Sequence, residues 1–467
     1  VEDAIFEIEA FIAEMDFASF IGEEEVVREA IESFDLSVLE GPTPSLVAEI
    51  RKARTKLSSI SRKAKEFKVH LIAHAHIDML WLWDWSDTLS TIKSTFKTMI
   101  GLMDKYPEFT FSQSQAAAYK AVEEEFPEIF ARIREKVEKG QWEVNASTWV
   151  EADLNMGGTE AMVRQVLYAK RYIKDKLGVD PEVCWEPDTF GHPWTVPQIC
   201  LKSGLRYYYF MRCGRGYRIF WWEGPDGSRL LAYNSVYNNF VRPKNIVELA
   251  KEVYKRHGLK TSMFVYGVGD HGGGATVEDI EAAIKMRDKP ALPLVVFSTA
   301  HKFFREVEEE IESRGVRLPV VNGELNFTFD GCYTTHGDIK RYNRLCESLL
   351  LDAERLGVMA GIYSRKTLER AWLNMLFNQF HDILCGSASH EAYKQARELA
   401  EEAIRLAEAI IAKSMESIAR RIRFSREGLP IVVFNTLPWD RVDVVEIEIP
   451  TNLIPERPVV VSWDGRE

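Results

Sequence analysis

The sequence predicts an α/β protein: an irregular, largely parallel β/α barrel, led by a helical N-terminal segment and followed by a helical bundle and the start of a β-domain. Three observations predict it. Short apolar runs alternate with amphipathic helical stretches from residue 69 to about residue 300, helical periodicity resumes beyond Tyr342, and strand-like alternation takes over after Pro430.

The N-terminal segment, 1–64, reads as helical. Thr43 and Pro44 form an N-cap and first-position pair, and Leu46, Ile50, Ala53, Leu57 and Ile60 follow at mostly helical spacing. In the barrel region, 65–320, the expected strands are 69–76, 108–112, 141–147, 182–186, 206–211, 229–234, 262–267 and 294–298. Helical patterns lie between most of them, among them 87–104, 115–138, 158–177, 246–256 and 276–287. The strand at 229–234 breaks the rhythm, because Gly224-Pro225-Asp226-Gly227 before it is hairpin-turn chemistry. That break predicts an irregular barrel. Region 321–425 reads as a helical bundle, with Ala388 to Arg421 alternating apolar and charged residues as a bundle member does. Finally, 430–434 and 442–449 read as strands, so 426–467 is expected to begin a C-terminal β-domain with too few strands to close.

Composition narrows the function. A formal net charge of −12 disfavours nucleic acid and anionic membrane as partners and fits a neutral small substrate. The six cysteines (184, 200, 213, 332, 346 and 385) form no CxxC pair and read as reduced thiols. With an acidic N-terminus and no apolar run long enough to span a bilayer, the sequence predicts a cytoplasmic protein.

Five segments carry chemistry. In His74-Ala75-His76-Ile77-Asp78, residues two apart on a strand share a face, so the imidazoles and carboxylate can converge on a divalent metal. Trp185-Glu186-Pro187-Asp188-Thr189-Phe190-Gly191-His192 directly follows a strand, where α/β folds bind ligands; Asp188 reads there as functional or as a helix N-cap. Gly267-Val268-Gly269-Asp270-His271-Gly272-Gly273-Gly274 allows close backbone approach, and without a Gly-Lys-Ser/Thr ending it favours a carboxylate site over a phosphate cradle. His381 and Asp382 are expected in the last turn of a helix whose apolar face is Leu373, Leu376, Phe377 and Phe380; a lone histidine there is usually structural. Trp149 to Asn155 combines Glu151, Asp153 and an aromatic, as sugar recognition requires, and Trp81, Trp83 and Trp85 cluster beside the first motif.

Taken together, His76-x-Asp78, Asp188-Thr-Phe-Gly-His192, Gly269-Asp270-x-Gly-Gly-Gly and Asn378-Gln-Phe-His-Asp382 resemble glycoside hydrolase family 38, the α-mannosidases. Glu324-Leu-Asn326 and Tyr333-Thr-Thr335 echo it too, and the resemblance runs from about residue 68 onward. It implies a retaining α-mannosidase with one zinc per chain, cobalt being a substitute, bound by His76, Asp78, Asp188 and His381. Asp188 is then also the nucleophile and Asp270 the general acid and base. The resemblance places Trp81, Phe190, Arg212 and Asp382 against the sugar, with Glu151 and Asp153 as further candidates, and leaves His74 a supporting role. It implies a mannose-containing oligosaccharide as substrate and leaves a homo-oligomer open. One departure, Phe329-Asp330-Gly331 where many members carry His-Arg-Gly, bears on linkage preference.

Two rival readings stand beside it. A zinc amidohydrolase or deacetylase also opens with such a strand but needs further histidines at later strand ends, where this chain offers Asp188, Arg212 and Asp270. A sugar-binding protein with a vestigial site would not need carboxylates at both catalytic positions.

Overall fold

The computed structural model describes residues 2–40, 42–269, 271–326, 328–424, 428–454 and 459–461. The chain divides into two compact units, one of Val1–Asn343 with Leu376–Leu399, the other of Arg344–Met375 with Ala400–Glu467.

Among the described residues the first unit contains ten strands: β1 (Lys68–His74), β2 (Phe111–Gln113), β3 (Trp142–Val144), β4 (Val183–Glu186), β5 (Tyr207–Phe210), β6 (Ile219–Glu223), β7 (Arg229–Asn234), β8 (Thr261–Tyr266), β9 (Leu294–Phe297) and β10 (Val320–Asn322). They form two five-stranded sheets. In the first, β3-β2-β1-β8 are parallel neighbours, and β9 also pairs with β1. Both β9 and β2 use β1, β9 along Lys68–Leu71 and β2 along Ala73–His74. The second sheet runs β10-β6-β7-β5-β4. Its irregularity falls where the turn chemistry predicts it: β6 and β7 are an antiparallel hairpin, closed by Gly224 N–H to the Ser228 carbonyl at 2.8 Å with Gly227 at φ +80°. The partner strand β6, an Ile-Phe-Trp-Trp-Glu run, was not among the expected strands. The sheets meet between β7 and β8, where the Tyr233 hydroxyl donates to the Met263 carbonyl at 2.7 Å and Asn239 bridges to Tyr266.

The apolar positions of β1, β4, β5 and β8 are buried, as expected of parallel strands covered on both faces. Helices flank them at the expected places, including Trp85–Lys105, Thr159–Leu177, Pro243–His257 and Val277–Arg287. The stretch expected as one helix over 115–138 is two, Ala116–Glu125 and Pro127–Glu138. Pro127 has no N–H to continue the ladder, and Phe126 leaves helical geometry at φ −138°, ψ 60°. The N-terminal segment is helical, Glu2–Phe20, Glu24–Glu32 and Thr43–Leu57, around a cluster that includes Phe11, Ala18, Ile50 and Leu57 and reaches Ala291. Within it Arg54 is held between Glu7 and Glu14, 2.6 Å from each.

The second unit takes in parts of Gly337–Ala360, Arg365–Phe377 and His390–Ala419, with Leu350, Ala353, Ala403 and Ala407 buried. Its tail departs from the sequence expectation. Neither 430–434 nor 442–449 is a strand, and their alternating valines are largely exposed. Alternation marks a segment ready to pair, and among the described residues neither segment has a ladder partner to make it a strand. No helix among the described residues is long and apolar enough to cross a membrane.

Candidate active site

The segments with chemistry leave the C-terminal ends of β1, β4, β5 and β8, the edge where parallel sheets present ligand sites. Strand β1 ends at His74, so the face-sharing expected of His74, His76 and Asp78 holds only in part. His74 turns into the structure: its ring pairs with the Ser112 carbonyl at 3.0 Å and accepts from the Trp185 indole at 3.3 Å. Burial drives its pKa down to about 3, so it stays neutral. Beyond the strand the chain is pinned by side chains. Gln115 donates to the Ile77 carbonyl at 2.8 Å, and Thr88 donates to the Met79 carbonyl at 2.7 Å from a helix capped by Asp84. These contacts aim His76 and Asp78 together, with His76 Nε2 2.8 Å from Asp78 Oδ1.

Asp188 enters from the end of β4. Its Oδ2 lies 3.8 Å from His76 Nε2 and accepts from the Tyr237 hydroxyl at 3.4 Å. Arg212, beyond β5, donates to Oδ1 and also to the Asp188 carbonyl, while its guanidinium lies over the rings of Phe190 and Phe329. Asp188 is thus held by its carboxylate, and no helix starts at this position. Gly191 of the same motif is required by contact: a Cβ there would stand 2.2 Å from Asn155 Nδ2 and 2.5 Å from Asn326 Oδ1. Here the sequence-distant Asn155, Asn326 and Tyr333 meet, Asn155 donating to both others, and His192 and Leu325 exchange backbone hydrogen bonds alongside.

His381 and Asp382 arrive differently from the expected last helical turn. The helix ends at Phe377, and a separate short helix, His381–Cys385, begins at His381. Between them the backbone pairs with 151–153: Asp153 N–H donates to the Gln379 carbonyl at 2.7 Å and His381 N–H to the Glu151 carbonyl at 3.0 Å. That pairing takes the chain out of helical geometry and delivers the His381 ring to the cluster. Its Nε2 lies 3.4 Å from Asp78 Oδ1 and 3.5 Å from Asp382 Oδ2.

Asp270 lies outside the described residues; the loop on either side of it does not. Gly272 N–H donates to the His76 carbonyl at 2.9 Å, His271 bridges to Ile77, and Val268 N–H donates to the Gly274 carbonyl at 2.8 Å. The glycines make this path available. Gly267 has φ +154°, and a Cβ on it would stand 2.1 Å from the His74 carbonyl oxygen; at Gly274, φ +72°, it would meet Met99 sulfur at 2.7 Å. Gly267→Ala is therefore expected to destabilise the chain by about 2–4 kcal/mol. A lowered thermal midpoint would show it, and an unchanged midpoint would mean that the loop tolerates a Cβ.

A cavity of about 400 Å³ opens on the cluster, lined by Asp78, Trp81, Asp188, Phe190, Arg212 and Asp382 among others. That volume holds a monosaccharide with room to spare. Trp83 packs edge-on against Trp81 and bonds Thr88, and Trp85 packs against Phe377, so Trp81 alone of the three lines the cavity. Glu151 and Asp153, expected among the sugar-contacting residues, do not line it. Glu151 is fully buried behind the cluster, and Asp153 is a turn cap accepting from the N–H groups of Asn155 and Met156. Tyr237, Gln115, Gly386 and Ser387 were not among the expected site residues. Gln115 gave no compositional signal: it sits at φ +62°, and its amide links the Ile77 carbonyl to the Glu151 N–H. Among the described residues, the other non-glycine positions with positive φ are Cys213, Phe329 and His336, each in or next to this cavity's lining.

The donor set fits a divalent cation. One donor atom each from His76, Asp188 and His381 lies within 4.8 Å of the other two, as do those of Asp78, His381 and Asp382. Two nitrogens and several carboxylate oxygens suit zinc, whose tetrahedral ligands stand about 3.4 Å apart. Among the described residues the buried His381 Nε2 has no hydrogen-bond partner, although it lies near the Asp78 and Asp382 carboxylates. Electrostatics agrees. Burial opposes charge on both rings, yet Glu151 and Asp78 hold the His76 pKa well above its ordinary value, and Asp78 and Asp382 raise that of His381 to about 9. Burial, opposed by His381 and aided by Asp78 and Asp188, lifts Asp382 to about 7. The buried carboxylates that raise both histidines make the cluster rich in negative charge that a cation would balance.

The description "Glycosyl hydrolases family 38 N-terminal domain" matches residues 66–336, and "Alpha mannosidase middle domain" matches 328–418. Alpha-mannosidase G of Dictyostelium discoideum is 33% identical over 383 residues, which is 79% of this chain and 35% of that protein. Alpha-mannosidase 2C1 of Homo sapiens is 31% identical over 398 residues, 82% of this chain and 38% of that protein. The crystal structure of an alpha-mannosidase from Enterococcus faecalis superposes with a TM-score of 0.68 at 21% identity, covering 76% of this chain and 43% of that one, and shares the fold. The chain thus spans a little over a third of the length of the first two relatives. A family match over more than half of the sequence, on a chain whose first, second and fourth motifs line one cavity through Asp78, Asp188 and Asp382, has one meaning: the chain belongs to glycosyl hydrolase family 38.

Proposed function

We propose that this chain is the catalytic part of a zinc-dependent, retaining α-mannosidase that removes terminal α-linked mannose from oligosaccharides, in the cytoplasm. The observation that carries the reading is the meeting of His76, Asp78, Asp188 and His381 beside a sugar-sized cavity that Asp78 and Asp188 line, with Asp188 gripped by Arg212 and Tyr237. The relatives named above, both called alpha-mannosidases, support the substrate class.

His76, Asp78, Asp188 and His381 would hold the metal. A bound zinc supplies a Lewis-acid centre for sugar hydroxyls. The protein's own groups carry the bond changes. Arg212 Nε and the Tyr237 hydroxyl fix the two Asp188 oxygens, leaving the carboxylate one orientation toward the cavity. Asp188 attacks the anomeric carbon; the glycosidic C–O bond breaks as Asp270 gives its proton to the departing oxygen. In the second step Asp270 takes a proton from water, the water oxygen bonds the anomeric carbon, and the ester bond to Asp188 breaks, restoring the carboxylate. The two carboxyl groups of such a pair stand about 5–5.5 Å apart. Trp81 and Phe190 offer apolar surface to the ring's C–H groups, and Asp382, whose Oδ1 accepts from Ser387, accepts from sugar hydroxyls.

The test is a panel of aryl glycosides. Hydrolysis of the α-mannoside but neither the β-mannoside nor the α-glucoside, abolished by chelation and restored by zinc or cobalt, is the expected result. Metal-independent turnover, or none on the α-mannoside, would contradict the reading.

A further inference from the structure

Glu151 is a buried carboxylate that the chemistry above does not use, and each of its polar atoms except Oε2 is hydrogen-bonded. Its N–H donates to Gln115 Oε1 at 3.1 Å, and Oε1 accepts from Ser114 Oγ at 2.9 Å. Its carbonyl oxygen accepts from both the backbone N–H and the ring Nδ1 of His381, each at 3.0 Å. Its remaining oxygen, Oε2, faces His76 Nδ1 at 3.1 Å, off the line of a hydrogen bond. Neither of these last two buried atoms has a hydrogen-bond partner elsewhere among the described residues. A single residue therefore touches the far nitrogen of both histidines whose near nitrogens, Nε2, face Asp78.

The consequence follows from imidazole chemistry. A neutral ring carries one N–H, and an acceptor at Nδ1 draws the proton there, leaving the Nε2 lone pair free to donate to a metal. The Glu151 carbonyl does this for His381, and its carboxylate is placed to do it for His76. Burying a carboxylate costs several kcal/mol unless its charge is used, and here that charge is directed at His76. The carboxylate is held from behind by Ser114, and the Glu151 backbone by Gln115, which sits at φ +62°.

We propose that Glu151 is the positioning residue of the metal site, setting the ring orientation and tautomer of His76 through its carboxylate and of His381 through its carbonyl. The inference rests on the zinc-site reading. It replaces sugar contact as the role of Glu151.

The test uses the whole chain, stripped of metal, with cobalt(II) alone as the probe. Affinity is measured by competition with a chromophoric chelator, and site geometry by the visible absorption of the bound ion. Glu151→Gln removes the charge and leaves the backbone carbonyl, so only the hold on His76 should slacken. The expected result is cobalt affinity reduced by about 10–100-fold with an altered absorption band and an unchanged melting midpoint without metal. Ser114→Ala, which frees Oε1 but keeps the carboxylate, should shift affinity the same way by less, and it decides the matter if the first variant does not fold. Wild-type affinity and spectrum in Glu151→Gln, or in Ser114→Ala where that variant decides, would overturn the inference. If the wild-type chain binds no cobalt, the zinc-site reading fails first and takes this inference with it.

Discussion

Replacing Asp188 with asparagine is expected to lower turnover of an aryl α-mannoside by on the order of 10⁴-fold, about 5.5 kcal/mol of transition-state stabilisation. An amide cannot form the glycosyl ester, yet it is nearly the size of the carboxylate and can keep hydrogen bonds to Arg212 and Tyr237, which hold Asp188 now. Because Asp188 also sits among the proposed metal donors, loss of activity alone would not separate nucleophile from ligand. Asp188→Ala with added azide does. The small anion can enter the emptied space and attack the anomeric carbon from the face Asp188 uses, so the expected product is a β-mannosyl azide. A variant that hydrolyses the α-mannoside at the wild-type rate would remove Asp188 from the mechanism.

The second large effect is expected at His381. This ring comes from a part of the chain remote in sequence from His76, Asp78 and Asp188, and among the described residues its buried Nε2 has no hydrogen-bond partner. Changing His381 to alanine removes a nitrogen donor and leaves the neighbouring carboxylates Asp78, Asp188 and Asp382 without it. Zinc affinity should fall by at least about 100-fold. Zinc bound only to the folded state stabilises by about 4 kcal/mol at a thousand times its Kd. At the same zinc concentration the variant should therefore lose about 2.7 kcal/mol of that stabilisation. Thermal melts with and without zinc read this directly, without any substrate. An undiminished zinc-dependent rise in the variant would exclude His381 as a ligand.

What the sequence reveals and what it hides divide along physical lines. Parallel strands buried on both faces leave uninterrupted apolar runs, so β1, β4, β5, β7 and β8 were readable within a residue or two. The hairpin turn before β7 was readable as well, because turn geometry demands particular residues. Features set by tertiary pairing were not. The break between Phe377 and His381 comes from backbone pairing with 151–153, and nothing in an apolar helical pattern announces it. The tail shows the reverse error, since 442–449 alternates as a strand does and yet is not one. In the site, residue types with strong chemical character stood out, and His76, Asp78, Asp188 and His381 do come together. Direction was the hidden quantity. Glu151 and Asp153 carry the right groups for sugar recognition, but one points behind the histidines and the other caps a turn. Gln115 was invisible for the opposite reason: an ordinary residue type, its importance lies in an uncommon backbone conformation that joins two loops.

If the sugar passes through a covalent bond to Asp188, as proposed, the configuration of the first product is retained. Proton NMR of an aryl α-mannoside reaction, recorded before mutarotation mixes the anomers, reads that configuration directly. The expected result is that α-mannose forms first and β-mannose follows only as the free sugar equilibrates. β-Mannose forming first would mean direct attack by water, and the double-displacement mechanism assigned to Asp188 and Asp270 would be wrong.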